Sequence, residues 1–335
     1  MATLSGDFGF LGYGNMGAAI AAGMVAQGTV TPRQISVYDP DTEKVRAAGA
    51  LGFRCVASAE MLAQHCDTLL LAVKPQMLEE ALAPVCAAAR PDACVLSVIA
   101  GISIARLQVL FGAEARILRV MPNTPALAGA GAAAVAAGTN CTKEDIARGR
   151  AVFESVGIAE VVPEAWLDGV TALSGSGPAY FFYLTECLIN AAVRRGIPES
   201  TAAHLAAQTL YGAGKLLIES GESPATLREK VTSKGGTTFA ALERMRGRDL
   251  EGLVQEAFDA AEKRSRELGA HGRAGTGGLS GGIDHDGRKR ISGSTTGACT
   301  AADGGTAVFG TDQHTANGLF QSTGGYAAGR SGCHY

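Results

Sequence analysis

Residues 8–26 read FGFLGYGNMGAAIAAGMVA, and the reading of the fold starts from them. FGFL is the kind of short apolar run carried by a strand buried on both faces. Gly12, Gly14 and Gly17 follow at once as G-x-G-x-x-G, and an alanine-rich helical pattern follows them. In this setting Gly12 permits a tight turn, Gly14 lets a pyrophosphate approach the backbone, and Gly17 allows close helix–strand packing. The helix N-terminus adds free N–H groups and the positive end of its dipole. In a chain with 45 glycines the triplet alone is weak evidence. Between a strand and a helix, with an acid closing the next strand, it indicates a dinucleotide site. That acid is Asp39, ending QISVYD at 34–39, 22 residues after Gly17. Its carboxylate either accepts from the adenosine ribose hydroxyls, favouring NADH over NADPH, or caps the next helix with Pro40 in its first turn. Lys44 or Arg46 offsets the charge if either reaches back from that helix.

Outward from the loop, TLLLAV, CVLSVIA and ARILRVM are further buried-strand patterns, separated by helical segments such as SAEMLAQHC. Strand–helix alternation at this spacing predicts an α/β fold with a doubly wound parallel sheet of Rossmann type over residues 1–165. From 166 to 270 the strand signal stops. PAYFFYLTECLINAAVRRG, ESTAAHLAAQTLYGAGKLLIESG and LEGLVQEAFDAAEKRSRELG predict an all-helical second domain. Its Ala, Leu and aromatic residues occupy more than one helix face, as expected of helices buried against a second subunit. Residues 271–335 hold 17 of the 45 glycines and seven Leu, Ile, Val, Phe or Met in 65 positions. That is too few to bury a core, so the segment is expected to be a disordered tail.

Composition removes whole classes of function. A net charge of −3 gives no basic field for nucleic acid. The N-terminus has neither a basic region nor an apolar run, so neither a signal peptide nor a membrane anchor is expected. The eight cysteines include no C-x-x-C pair and no metal-ligand spacing, so no metal is expected. Scattered within apolar runs, they suit a reducing compartment, and the cytoplasm is the expected location.

Four further strings occur in order: LLLAVKPQ at 69–76, MPNTP at 121–125, LSGSGPAYFF at 173–182 and PATLREKVTSKGGTTFAALE at 224–243. Over residues 8 to about 268 the chain resembles the pyrroline-5-carboxylate reductases, and the last two strings are highly specific. The resemblance implies reduction of 1-pyrroline-5-carboxylate to L-proline by NADPH or NADH. It also implies a helical domain that forms a homodimer or larger homo-oligomer, with the substrate site between subunits. Leu11, Gly12, Tyr13, Gly14, Asn15 and Met16 then line the pyrophosphate. Ala72, Val73, Lys74 and Pro75 meet the cofactor near its nicotinamide, and Ala59 and Lys230 occupy further cofactor positions. Glu164 matches a substrate-contacting position.

The residues of SKGGTT support that implication. Gly235 and Gly236 precede a helix, so their N–H groups and those of Thr237 and Thr238 can form a nest for the substrate carboxylate. The Thr238 hydroxyl can exchange a hydrogen bond with the imine nitrogen, which makes it the candidate catalytic residue. The bland alternative is helix capping by Ser233 or Thr237. Lys234 departs from the family, whose members usually carry proline there. It removes a φ restraint and places a cation beside the expected carboxylate.

Two rival functions share the first motif. A related Rossmann-fold imine or hydroxyacid oxidoreductase would keep the fold and change the small substrate. Hydroxyacid and phosphogluconate dehydrogenases place a catalytic lysine on the first long helix of the second domain, and AYFFYLTECLINAAV has none. A non-catalytic dinucleotide-sensing dimer would need no intact SKGGTT loop.

Overall fold

The computed structural model describes residues 3–271. The glycine-rich tail expected over 271–335 lies outside the described residues, apart from the backbone of His271.

Strands and helices alternate as β1 (Phe8–Leu11), α1 (Asn15–Ala26), β2 (Ile35–Tyr38), α2 (Thr42–Ala50), β3 (Arg54–Cys55), α3 (Ala59–His65), β4 (Thr68–Leu71), α4 (Leu78–Ala88), β5 (Cys94–Ser97), α5 (Ile104–Phe111) and β6 (Arg116–Met121). Then come β7 (Gly131–Ala137), α6 (Lys143–Glu154) and β8 (Gly157–Val161). The eight strands form one sheet in the order β3-β2-β1-β4-β5-β6-β7-β8. Its first six positions have the 3-2-1-4-5-6 order of a dinucleotide-binding sheet, which reverses direction between β1 and β4.

Successive side chains of a strand point to opposite faces, and both faces are filled here. Phe8, Phe10, Val37 and Leu70 join Ile20, Met24 and Phe153 on one side of the sheet. Leu11, Leu69, Leu71 and Ile117 join Leu62, Leu82 and Leu107 on the other. Each such side chain contributes about 1.5–3 kcal/mol by leaving water. Side-chain caps fix where the helices begin: Ser58 accepts from Met61 N–H, Ser103 from Arg106 N–H, and Thr142 and Asp145 form a reciprocal box.

The sheet departs from an all-parallel arrangement at its far side. β7 runs antiparallel to β6, and β8 runs parallel to β7. The β7 sequence GAAAVAA carries strong helix formers. Antiparallel pairing with β6 overrides that propensity.

Among the described residues no strand follows Val161. α7 (Leu167–Val170) runs into a π-wound turn, Thr171–Gly175, and then into α8 (Gly177–Val193), whose first turn holds Pro178. α9 (Glu199–Ser220) ends on Gly221, which is left-handed, with φ +66°. α10 (Pro224–Lys230), α11 (Thr237–Arg246) and α12 (Leu250–His271) complete the described chain. α12 folds back: Ser265 Oγ donates to Asp168 Oδ1 of α7 at 2.6 Å, and Leu268 and Gly269 pack against Gly101 of the nucleotide domain. α8 and α9 leave a broad apolar surface open, including Phe181, Phe182, Tyr183 and Ile218, the last 83% exposed. Among the described residues no helix is long and apolar enough to cross a membrane.

Candidate active site

The glycine loop lies where β1 ends. Gly12 has φ +92°, donates its N–H to the Tyr38 carbonyl at 2.9 Å, and passes so close to β4 that a Cβ would sit 2.8 Å from the Ala72 carbonyl oxygen. Ala72 N–H donates to the Leu11 carbonyl at 2.9 Å, which brings Leu11, Gly12 and the Ala72–Pro75 segment together. Gly17 presses α1 onto the loop: a Cβ there would lie 2.6 Å from the Gly12 carbonyl oxygen. Gly14 is the opposite case. A Cβ there would meet nothing within 4 Å, and Gly14 heads α1 without any side-chain cap. Open space in front of uncapped first-turn N–H groups fits a pyrophosphate. Ala59 opens α3 directly after its Ser58 cap and is buried beside Leu11.

Asp39 is buried, with its side chain 6% exposed. Oδ2 accepts from Tyr13 N–H at 2.7 Å, and Oδ1 accepts from Asp41 N–H at 2.9 Å. It does not cap α2, and Pro40 is not in that helix: Asp41 is the cap, accepting from Glu43 N–H. The ring of Tyr13 turns inward and meets Phe53 edge-on, with centroids 6.2 Å apart. Among the described residues its buried hydroxyl has no hydrogen-bond partner, and burial pushes the phenol pKa up.

A second group of polar side chains lies beside β6. Glu164 Oε1 accepts from Arg119 Nη1 at 3.0 Å and from Ile104 N–H at 2.9 Å, tying the entry to the helical region onto β6 and the start of α5. Sequence reasoning missed Arg119, although an arginine inside the apolar run RILRVM was a signal for it. It took MPNTP only as one of the strings that carry the family resemblance, with no role for its asparagine. Asn123 of that string is buried, donates Nδ2 to the Ser174 carbonyl at 3.0 Å and accepts from Ala132 N–H at 2.9 Å. The strings MPNTP and LSGSG are thus joined by one side chain across 51 positions of sequence. Arg119, Met121, Ile99, Gly101 and Thr171 line a cavity of about 180 Å³ closed by α12. It opens beyond the carboxyl ends of β5 and β6, the edge at which such sheets bind ligands. A polar cavity of about 300 Å³ at the amino ends of β4–β6 is lined by charges that pair among themselves, among them Arg116 with Asp145 and Arg148 with Glu144.

The third group is in the helical region. Gly235 has φ +73°, and Gly236 heads α11 with no side-chain cap, so neither Ser233 nor Thr237 fills that role. Thr237 and Thr238 are the first two helical residues, and their N–H groups lie among those left open by the helix geometry. Lys230 ends α10 and pairs with Glu222 at 2.5 Å, and Lys234 is exposed. Among the described residues, no hydrogen bond links Lys230 or the 233–238 turn to the glycine loop of the same chain.

Comparison with known proteins agrees with both halves of this arrangement. Residues 164–268 match the family described as pyrroline-5-carboxylate reductase dimerisation, and residues 7–101 match the NADP oxidoreductase, coenzyme F420-dependent family. The chain is 38% identical over 261 residues to the pyrroline-5-carboxylate reductase of Escherichia coli, covering 78% of this chain and 97% of that protein. It is 39% identical over 268 residues to the Synechocystis enzyme of the same name, covering 79% and 99%. The solved pyrroline-5-carboxylate reductase of Coxiella burnetii superposes with a TM-score of 0.76 at 31% identity, over 79% of this chain and 99% of that one. The Plasmodium falciparum pyrroline carboxylate reductase, solved with NADP bound, gives 0.70 at 29%, over 80% and 100%.

Proposed function

The chain belongs to the pyrroline-5-carboxylate reductase family, and from that membership we infer how its residues reduce 1-pyrroline-5-carboxylate to L-proline with NADH or NADPH, the closing step of proline biosynthesis. The observation that carries the reading is the pairing of an open, uncapped glycine loop at the end of β1 with an uncapped SKGGTT turn at the head of α11. One is shaped for a pyrophosphate and the other for a carboxylate.

The nucleotide half would hold the cofactor through Leu11–Met16, Asp39, Ala59 and Ala72–Pro75, with Lys230 contributed by a second subunit. When bound, a reduced nicotinamide supplies the hydride, and the chemistry is its own. This chain supplies position and electrostatics. Gly235 and Thr237 hold the substrate carboxylate with backbone N–H groups, and Gly236, whose own N–H donates to the Ser233 carbonyl at 3.0 Å, sets the turn that aims them. Thr238 orients the imine nitrogen with its hydroxyl. A protonated imine is already electrophilic, so no strong general acid is needed. Glu164, steadied by Arg119 and the Ile104 N–H, borders the substrate. The helical region from residue 166 brings two copies together as a homo-oligomer, and its turn 233–238 completes the partner's site. Six free thiols among the described residues support a reducing, cytoplasmic setting.

The test is to add 1-pyrroline-5-carboxylate and follow loss of reduced-nicotinamide absorbance with the purified protein, identifying the product. Rapid oxidation with proline formed is the expected result. Oxidation with neither cofactor overturns the reading. Thr238→Ala should lose turnover while keeping cofactor affinity, and unchanged turnover removes Thr238 from the mechanism.

A further inference from the structure

We propose that this site is built for NADH, and that Asp39, fixed in place and ringed by cations already paired, is what rejects the 2′-phosphate of NADPH. The inference rests on the cofactor reading above and asks which of two nucleotides that site takes.

Asp39 ends β2, the place from which a doubly wound nucleotide domain reaches the adenosine ribose. Its carboxylate is held by N–H groups of two different segments, Tyr13 in the glycine loop at 2.7 Å and Asp41 in the β2–α2 turn at 2.9 Å. Held from both sides and buried, it cannot swing aside to admit another anion. Each oxygen still keeps acceptor capacity, which a ribose diol can use and a dianionic phosphate cannot.

The neighbouring cations lessen this negative charge without cancelling it. Lys44 Nζ lies 3.4 Å from Asp39 Oδ1 and 3.6 Å from Asp41 Oδ2, shared between two acids. Arg46 pairs with Glu43 on the exposed side of α2. Arg54 on β3 turns away, toward Asp7 and the Arg33 carbonyl. Asp39, Asp41 and Glu43 against Lys44 and Arg46 leave a local charge of −1 where a 2′-phosphate of about −2 would have to enter. Placing like charges together in a partly buried site costs at least an order of magnitude in affinity.

Calorimetric titration of the full chain with NADH and NADPH reads this directly, without turnover. NADH should bind at least about tenfold tighter. Adenosine 2′,5′-bisphosphate should compete against NADH less well than 5′-AMP. Asp39→Asn should shrink the gap by about tenfold, chiefly through gained NADPH affinity. Lys44→Gln, at an exposed side chain outside the binding residues, should widen it. Equal or tighter NADPH binding by the unaltered chain overturns the inference. So does a Lys44→Gln ratio that stays constant or moves toward NADPH, and that arm stands even if Asp39→Asn fails to fold. Tight NADH binding without reduction of 1-pyrroline-5-carboxylate would instead overturn the reaction and leave the nucleotide preference intact.

Discussion

Gly12→Ala and Gly14→Ala each add one methyl group two residues apart, and they separate what the loop needs to fold from what it needs to bind. At Gly12 the backbone has φ +92°, a conformation that costs an L residue about 1–2 kcal/mol. The added Cβ would also stand 2.8 Å from the Ala72 carbonyl oxygen and 2.9 Å from its carbon. Both are backbone atoms pinned to β1 by the Ala72–Leu11 hydrogen bond, so no side chain can swing away. Overpacking of that kind adds about 1–3 kcal/mol, for a total of about 2–5 kcal/mol. For a domain of this size that lowers Tm by about 4–20 °C. At Gly14, φ is −75° and ψ −174°, open to any residue, and nothing lies within 4 Å of the added carbon. Loss of the glycine cap preference and gain from a stiffer unfolded chain roughly cancel, leaving Tm within about 2 °C. The methyl instead fills the space proposed for the pyrophosphate, and NADH affinity should fall about tenfold or more, or 1.4 kcal/mol. Thermal unfolding without ligand and an NADH titration on each variant give the four numbers. Equal Tm losses in the two variants, or full NADH affinity in Gly14→Ala, would refute the division of roles.

Three more outcomes follow from other parts of the molecule. Glu164→Gln keeps an oxygen for Ile104 N–H but cancels the pair with Arg119; KM for the imine should rise by roughly tenfold with NADH affinity unchanged. A rise in the NADH Kd instead would put Glu164 on the cofactor side. Burial pushes the Cys66 and Cys86 thiols from 9.0 up to about 11, so the fold holds their protons more tightly than the unfolded chain does. Their contribution is full below pH 9.0 and is lost as pH rises through about 11. Urea midpoints should fall across that window, and Cys66→Ala should flatten the fall. Phe182→Asp, on the open face of α8, should yield a monomer in sedimentation. An unchanged mass would place the subunit contact elsewhere.

The half of the sheet that binds nucleotide was legible because its strands are buried on both faces and show as unbroken apolar runs, FGFL and TLLL above all. β3 was not legible, since Arg54 and Cys55 are two exposed residues with no pattern. β7 and β8 were missed for a different reason. GAAAVAA carries helix formers, and pairing with β6 on one side and β8 on the other makes it a strand. In the site, the glycines and Asp39 announced themselves by spacing. The second role of Asp39, fixing the Tyr13 N–H, depends on two segments meeting and leaves no mark in sequence. The partners of Arg119 and Asn123 were hidden for the same reason, lying 45 and 51 positions away, although an arginine within RILRVM marked its own position.

The open aromatic face of α8 also bears on how the protein is made. A chain leaving the ribosome presents β1 to β8 first, and these can bury both faces of their sheet within one copy. α8 and α9 emerge later, with Phe181, Phe182 and Tyr183 still facing water. Their burial waits on collision with another copy, a second-order event whose rate depends on how much protein the cell is making. The step most exposed to aggregation is therefore assembly rather than folding, and expression level governs it as much as sequence does.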